Sequence, residues 1–210
     1  MHENFPIESA KNRLKWWKRQ ANFVPMLLVI IGFSACSNPF ETRTPTPPNE
    51  DPFTWEQPVS PQIVLTNLKH AYEGRHLENY QQCLDTTFIF EADPFERDGP
   101  LGNLYTNWTF EVEQDVTQAI FEAIEVGGIS LFFSRLPDRD DDISGRTAIL
   151  YRMYALELTP PQPNPPFETS AQGIAIFTLI EDDAGFWKIQ YWQDQRTNTV
   201  DWGAVKGSFR

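Results

Sequence analysis

Leu68-Lys69-His70-Ala71-Tyr72-Glu73-Gly74-Arg75-His76-Leu77-Glu78-Asn79-Tyr80, followed by Leu84-Asp85 and Thr87-Phe88-Ile89-Phe90, reads as helix, turn, helix and strand. Val64, Leu65, Leu68, Ala71 and Tyr72 recur at helical spacing, and Gly74 is a fitting stop. Leu77, Tyr80, Cys83 and Leu84 repeat the pattern over a shorter second helix. Thr87 to Ala92 then alternates, with Phe88 and Phe90 on one face. Trp108, Val112, Val116, Ile120 and Ile124 step by four and predict a third helix that ends before Gly127-Gly128. Four strands are predicted after it, at Ile129 to Leu136, Thr147 to Leu158, Ala171 to Glu181 and Phe186 to Asp194. Asp182-Asp183-Ala184-Gly185 is a hairpin turn between the last two, with Gly free to take positive φ. Helices first and an antiparallel meander afterwards make an α+β class.

This stretch, with Gly185-Phe186-Trp187-Lys188-Ile189 near the end, resembles the nuclear-transport-factor-2-like superfamily. That superfamily holds ketosteroid isomerase and the SnoaL-type cyclases. The resemblance covers about 62–195 and implies helices packed on a strongly curved antiparallel sheet, cone-shaped, with a conical pocket. It also implies a homodimer as one assembly, through the open sheet face.

The isomerases of that superfamily use a carboxylate base and an oxyanion hole of a tyrosine and a protonated acid. Three carboxylates are candidates for the base. Asp85 falls between helix and strand, where an acid commonly serves a turn. Glu113 follows Val112 and is expected off the apolar stripe, in solvent. Asp194 ends the last strand and is expected to pair with Arg196. Arg152 and Tyr154 alternate on one strand face, and Gln190 and Trp192 on another; these four are the expected pocket lining. No nucleophile–histidine set emerges from His70 or His76, and no cofactor is implied. Asp138-x-Asp140-x-Asp142 suggests calcium, but Ile143 and Ile149 stand where an EF-hand loop needs Gly and Glu, so no metal is expected. Two functions follow: a non-enzymatic domain for a small apolar ligand or a protein partner, and an isomerase, dehydratase or cyclase of the SnoaL or ketosteroid-isomerase type.

The start of the chain carries an address. Lys11, Arg13, Lys15, Lys18 and Arg19 precede an eleven-residue apolar run from Phe23 to Phe33, which ends in Ser34-Ala35-Cys36. Basic, apolar, then small is the order of a secretory signal. As a helix the run rises about 16 Å, short of a hydrocarbon core of about 30 Å. The cysteine after two small residues resembles the lipobox of bacterial lipoproteins. The resemblance implies a signal peptide over 1–35, with diacylglycerol and an amide-linked fatty acid (palmitate in many lipoproteins) on Cys36. Ser37, in place of an Asp, points to the outer membrane where a cell has two, facing the periplasm or the cell surface. Residues 36–61 carry seven prolines after Cys36 and form an extended tether of roughly 50–75 Å. Residues 62–210 are one domain in size.

Charge narrows the partners. The chain has 17 basic and 29 acidic residues, a net of −12. Five basic and two acidic residues lie in 1–35, which leaves the remainder at −15. Such a surface repels phosphates, so nucleic acid is not an expected partner. Cys83 has no second cysteine apart from Cys36 and sits at an apolar helix position, as a buried structural thiol does.

Overall fold

Ser60 starts the described domain: its hydroxyl accepts from Ile63 N, and Pro61 at the first helical position needs no partner for a missing N–H. The computed structural model describes residues 54–210. The signal, Cys36 and most of the tether lie outside the described residues. Helix α1 (Pro61–Gly74) buries Val64, Leu65, Leu68, Ala71 and Tyr72. It stops where Arg75 takes a left-handed conformation, φ 54°, with its N–H returned to Tyr72 O. The Arg75 guanidinium donates to the carbonyls of Phe121 and Ile124, which fixes it in place of the glycine usual there.

Helix α2 (Leu77–Gln82), strand β1 (Leu84–Glu91), the one-turn helix α3 (Pro94–Arg97) and a short 3-10 turn (Gly102–Tyr105) lead to helix α4 (Phe110–Ala123). Strands β2 (Ile129–Arg135), β3 (Asp142–Ser144), β4 (Thr147–Leu158), β5 (Ser170–Glu181) and β6 (Trp187–Arg196) follow, and helix α5 (Trp202–Gly207) closes the chain. The sheet order is β1-β6-β5-β4-β2, with the short β3 also on β4. All pairings are antiparallel except β1 with β6, which run parallel because the helices of 94–123 intervene before the meander begins.

Cross-strand register decides which side chains meet. On the inner face Leu150 opposes Phe177 and Phe177 opposes Trp192; one step along, Arg135 opposes Arg152, Arg152 opposes Ala175, and Ala175 opposes Asp194. On the outer face Met153 opposes Ile174 and Tyr151 opposes Ile176. Val64, Leu68, Tyr72, Tyr80, Phe88, Phe90, Trp187 and Ile189 are all buried. Before α1, Asn67 clasps the main chain of Glu56 with two hydrogen bonds, of 3.0 and 2.6 Å, and Trp55 packs against the core. The last tether residues therefore lie on the domain.

Candidate functional site

Two places gather polar chemistry: the floor of the sheet under α5, and a groove between α1 and the β2 edge.

The first is a buried polar cluster. Asp201 caps α5 by accepting from Ala204 N at 2.8 Å, which starts a helix just after the sheet ends. That helix turns Trp202, Val205 and Lys206 inward, all fully buried. Trp202 meets Trp192 edge-on at 4.6 Å between centroids and Tyr72 at 5.1 Å, and its Nε1 donates to the Tyr72 hydroxyl at 3.2 Å. The Lys206 ammonium lies 3.6 Å from the Trp192 ring centroid and 3.9 Å from that of Phe90. Its Nζ is 2.8 Å from Glu113 Oε1, at ion-pair distance but without hydrogen-bond alignment.

Glu113 is thus inside, not in solvent. Steps of four overshoot a 3.6-residue turn, so the row 112-116-120-124 winds around the helix. The buried stripe of α4 is Glu113, Val116, Thr117, Ile120 and Phe121, with Ile124 just beyond it. Tyr80 Oη donates to Glu113 Oε1 and Trp108 Nε1 donates to Oε2 at 2.7 Å. Asp194 is also inside and does not pair with Arg196. Its Oδ1 accepts from Tyr154 Oη at 2.8 Å and its Oδ2 from Gly203 N at 2.7 Å. Arg196 binds Glu96 at 2.8 Å instead. Gly173 makes the Tyr154 contact possible: a Cβ there would sit 2.5 Å from Tyr154 Oη. Asp85 lies in the irregular first part of β1 and is engaged locally, accepting from Thr87 N at 2.8 Å and from the Thr87 hydroxyl at 2.6 Å.

Burial pushes the Asp194 carboxyl up to about 7, with Asp201 adding repulsion. Burial likewise pushes Asp201 up to about 6, and lowers Lys206 from the usual amine range despite Glu113 and Asp194. A carboxyl that holds its proton more tightly in the fold than in the unfolded chain stabilises the fold at low pH. That stability is complete below about pH 4 and is lost as pH rises through about 7. Lys206 acts with the opposite sign toward alkaline pH. Thermal unfolding should therefore show a higher midpoint at pH 5 than at pH 7.5, and Asp194→Asn should flatten the difference. A midpoint that climbs over this range would contradict the burial of Asp194.

The second place is the groove, about 330 Å³, with Leu65, Thr66 and Lys69 of α1 facing Phe133 and Arg135 of β2 and Arg152 of β4. Phe133 forms part of its wall and stacks on Trp202 from the other side, 6.2 Å between centroids. Arg152 is held by both oxygens of Asp141, at 2.6 and 2.8 Å. Burial opposes ionisation of Asp141, yet Arg152 and the Tyr151 N–H keep its carboxyl below the usual range. Lys69 pairs with Glu73 at 2.5 Å. The Arg135 guanidinium makes no ion pair or hydrogen bond among the described residues, though it acts electrostatically on Asp141. Two guanidinium groups directly opposite each other repel, and Asp141, which both act on, offsets them in part. The groove is a basic spot on an acidic chain.

The four residues expected to line one pocket are separated. Arg152 opens on the groove, whereas Tyr154 and Trp192 are sealed under α5. Gln190 is on neither. Along β5 the partner jumps from Tyr191 to Ile189, so Gln190 is the extra residue of a bulge and turns outward, donating to Thr87 Oγ1 at 3.2 Å. The bulge breaks the period-2 rule that put Gln190 beside Trp192. Lys206, Trp202 and Asp201 were missed by the sequence reading. Their signal was an Asp followed by Trp202, Val205 and Lys206 at helical spacing. Asp138, Asp140 and Asp142 gather no site: among the described residues no group of three or more His, Cys, Asp or Glu side chains stands close enough to hold a metal.

No family model matches the sequence, and no curated protein matches it. Solved structures do. One carries a provisional scytalone dehydratase name and comes from Novosphingobium aromaticivorans. It is 13% identical with a TM-score of 0.53, over 67% of this chain and 84% of that one. A Nostoc punctiforme domain of unknown function described as having a cystatin-like fold is 16% identical, with a TM-score of 0.46 over 65% and 75%. A Thiobacillus denitrificans protein with a provisional calcium/calmodulin-dependent kinase association-domain name is 10% identical, with a TM-score of 0.47 over 66% and 96%. At these identities the likeness is one of fold. The described domain shares with the Novosphingobium protein an α+β fold, helices packed on a mostly antiparallel sheet, the class that its helix–helix–strand opening implied.

Proposed function

We propose that this is a non-enzymatic binding domain, held at a membrane by a lipid on Cys36. In this reading it takes up a small molecule with an acidic group on an apolar body, in the groove between α1 and β2. One observation carries it. The inner face of the sheet, where an isomerase would hold its substrate, is occupied by the chain's own α5. Two of the three buried carboxylates there are engaged at both oxygens, Glu113 by Tyr80, Trp108 and Lys206 and Asp194 by Tyr154 and Gly203; the third, Asp201, caps α5 through Oδ1 and leaves Oδ2 without a partner among the described residues. The groove has what a ligand site needs: a volume of about 330 Å³, an apolar wall of Leu65 and Phe133, and the unpaired cation of Arg135. The dehydratase name of the Novosphingobium protein belongs to that protein. An isomerase or dehydratase reading here would require α5 to leave.

Calorimetric titration with decanoate, decanol and inorganic phosphate tests the reading. Decanoate should bind best, and Arg135→Ala should weaken it ~10-fold or more, as expected for loss of a charged hydrogen bond. Equal binding of decanol, or no binding of decanoate, would reject the groove as an acidic-ligand site. For the anchor, Cys36→Ala should move the protein to the soluble fraction; a variant still processed and membrane-bound would reject lipidation. The outer sheet face around Met153, Ile174 and Ile176 fits a second copy of the chain. Sedimentation showing only monomer at high concentration would remove that partner.

A further inference from the structure

Lys206 and Glu113 are placed as reactants as much as partners. The ammonium and the carboxylate are both fully buried, with Nζ 2.8 Å from Oε1. Phe90, Trp192 and Trp202 lie around the nitrogen, which has no exposure to bulk solvent. The carboxyl is gripped at both oxygens by donors, Tyr80 at Oε1 and Trp108 at Oε2. A second buried carboxyl, Asp194, lies on the same inner face and acts electrostatically on Lys206.

We propose that Lys206 and Glu113 condense within the folded core to an isopeptide bond. In water the separate ions are favoured, because hydration stabilises each charge. In a dry interior that hydration is lost and the buried pair is costly, whereas a neutral amide hydrogen-bonded by its neighbours is not. The atoms balance without any further reactant. One ammonium proton passes to the carboxylate, giving amine and acid. Nζ then attacks the carboxyl carbon and forms the C–N bond. Trp108 Nε1–H stabilises the developing charge on Oε2, as an oxyanion donor does. The C–Oε1 bond breaks, and Oε1 leaves as water with that first proton and a second one from nitrogen, relayed by the Tyr80 hydroxyl. The lowering of the Lys206 pKa by burial favours the amine form that this step uses. The product ties α4 to α5 and closes a covalent loop of about 90 residues, which restrains the unfolded chain as a disulfide of that span would. Cys83 supplies no such link, since it is a free buried thiol. The inference stands apart from the ligand reading of the groove.

Peptide mass spectrometry of the purified full chain tests it. The expected result is a branched peptide joining the segments that contain Glu113 and Lys206, lighter than their sum by one water. On a denaturing gel the wild type should run faster than Lys206→Met, which cannot form the bond. Intact mass alone does not decide, because Asp98-Gly99 can also lose water by cyclising. Separate peptides with unmodified Lys206 and Glu113, after the folded protein has stood for days at pH 8, would overturn the proposal. A branch through Asp194 instead of Glu113 would overturn the assignment.

Discussion

Glu113→Ala should cost about 3–5 kcal/mol of folding stability, the usual penalty for removing one member of a buried ion pair. The magnitude follows from what would be left behind. Lys206 would lose its ion-pair partner in a site with no exposure, where burial already disfavours its charge. The Tyr80 hydroxyl and the Trp108 indole N–H would lose their acceptor. Glu113→Gln should cost less, since an amide oxygen can still accept one of those bonds. Denaturant titration, on protein whose mass shows the pair unjoined, would measure both. A loss under 1 kcal/mol for Glu113→Ala would mean that Glu113 reaches water.

Trp202→Ala should cost about 3–5 kcal/mol, as large aromatic truncations in cores do. Trp202 contacts α1, the inner sheet face and the groove wall together. It meets Tyr72, Trp192, Tyr154 and Phe133. Its loss also leaves the Tyr72 hydroxyl without its indole donor. The effect should reach the groove, because Phe133 would lose the ring it stacks on. Weaker decanoate binding in Trp202→Ala, with Arg135 untouched, would show that coupling.

The architecture was legible because its signals are local. The apolar spacing from Val64 to Tyr80 and the alternation at Phe88 and Phe90 need only neighbouring residues, and both lie where the periods place them. The polar centre was not legible, for three separate reasons. Glu113 hid because a row of apolar residues at steps of four passes beside the true stripe of α4. Gln190 was misplaced because a bulge is a property of two strands in register, and one strand's sequence does not contain it. Asp194 and Lys206 depend on contacts between β6, α4 and α5 that no spacing rule links. The parallel pairing of β1 with β6 is of the same kind. Asp201 with its helical successors was readable, but a six-residue helix after the last strand is easily taken for a tail.

Helix α5 is a fixed part of the core and not a lid. The Trp202 N–H donates to Tyr154 Oη at 2.7 Å and the Gly203 N–H to Asp194 Oδ2 at 2.7 Å, both buried. Native-state hydrogen exchange at these two amides tests this most directly. Exchange is expected only through global unfolding, with opening free energies equal to those of the slowest amides of β5. Fast exchange at Trp202 and Gly203 while β5 stays protected would contradict it, and would reopen the inner face of the sheet as a substrate pocket.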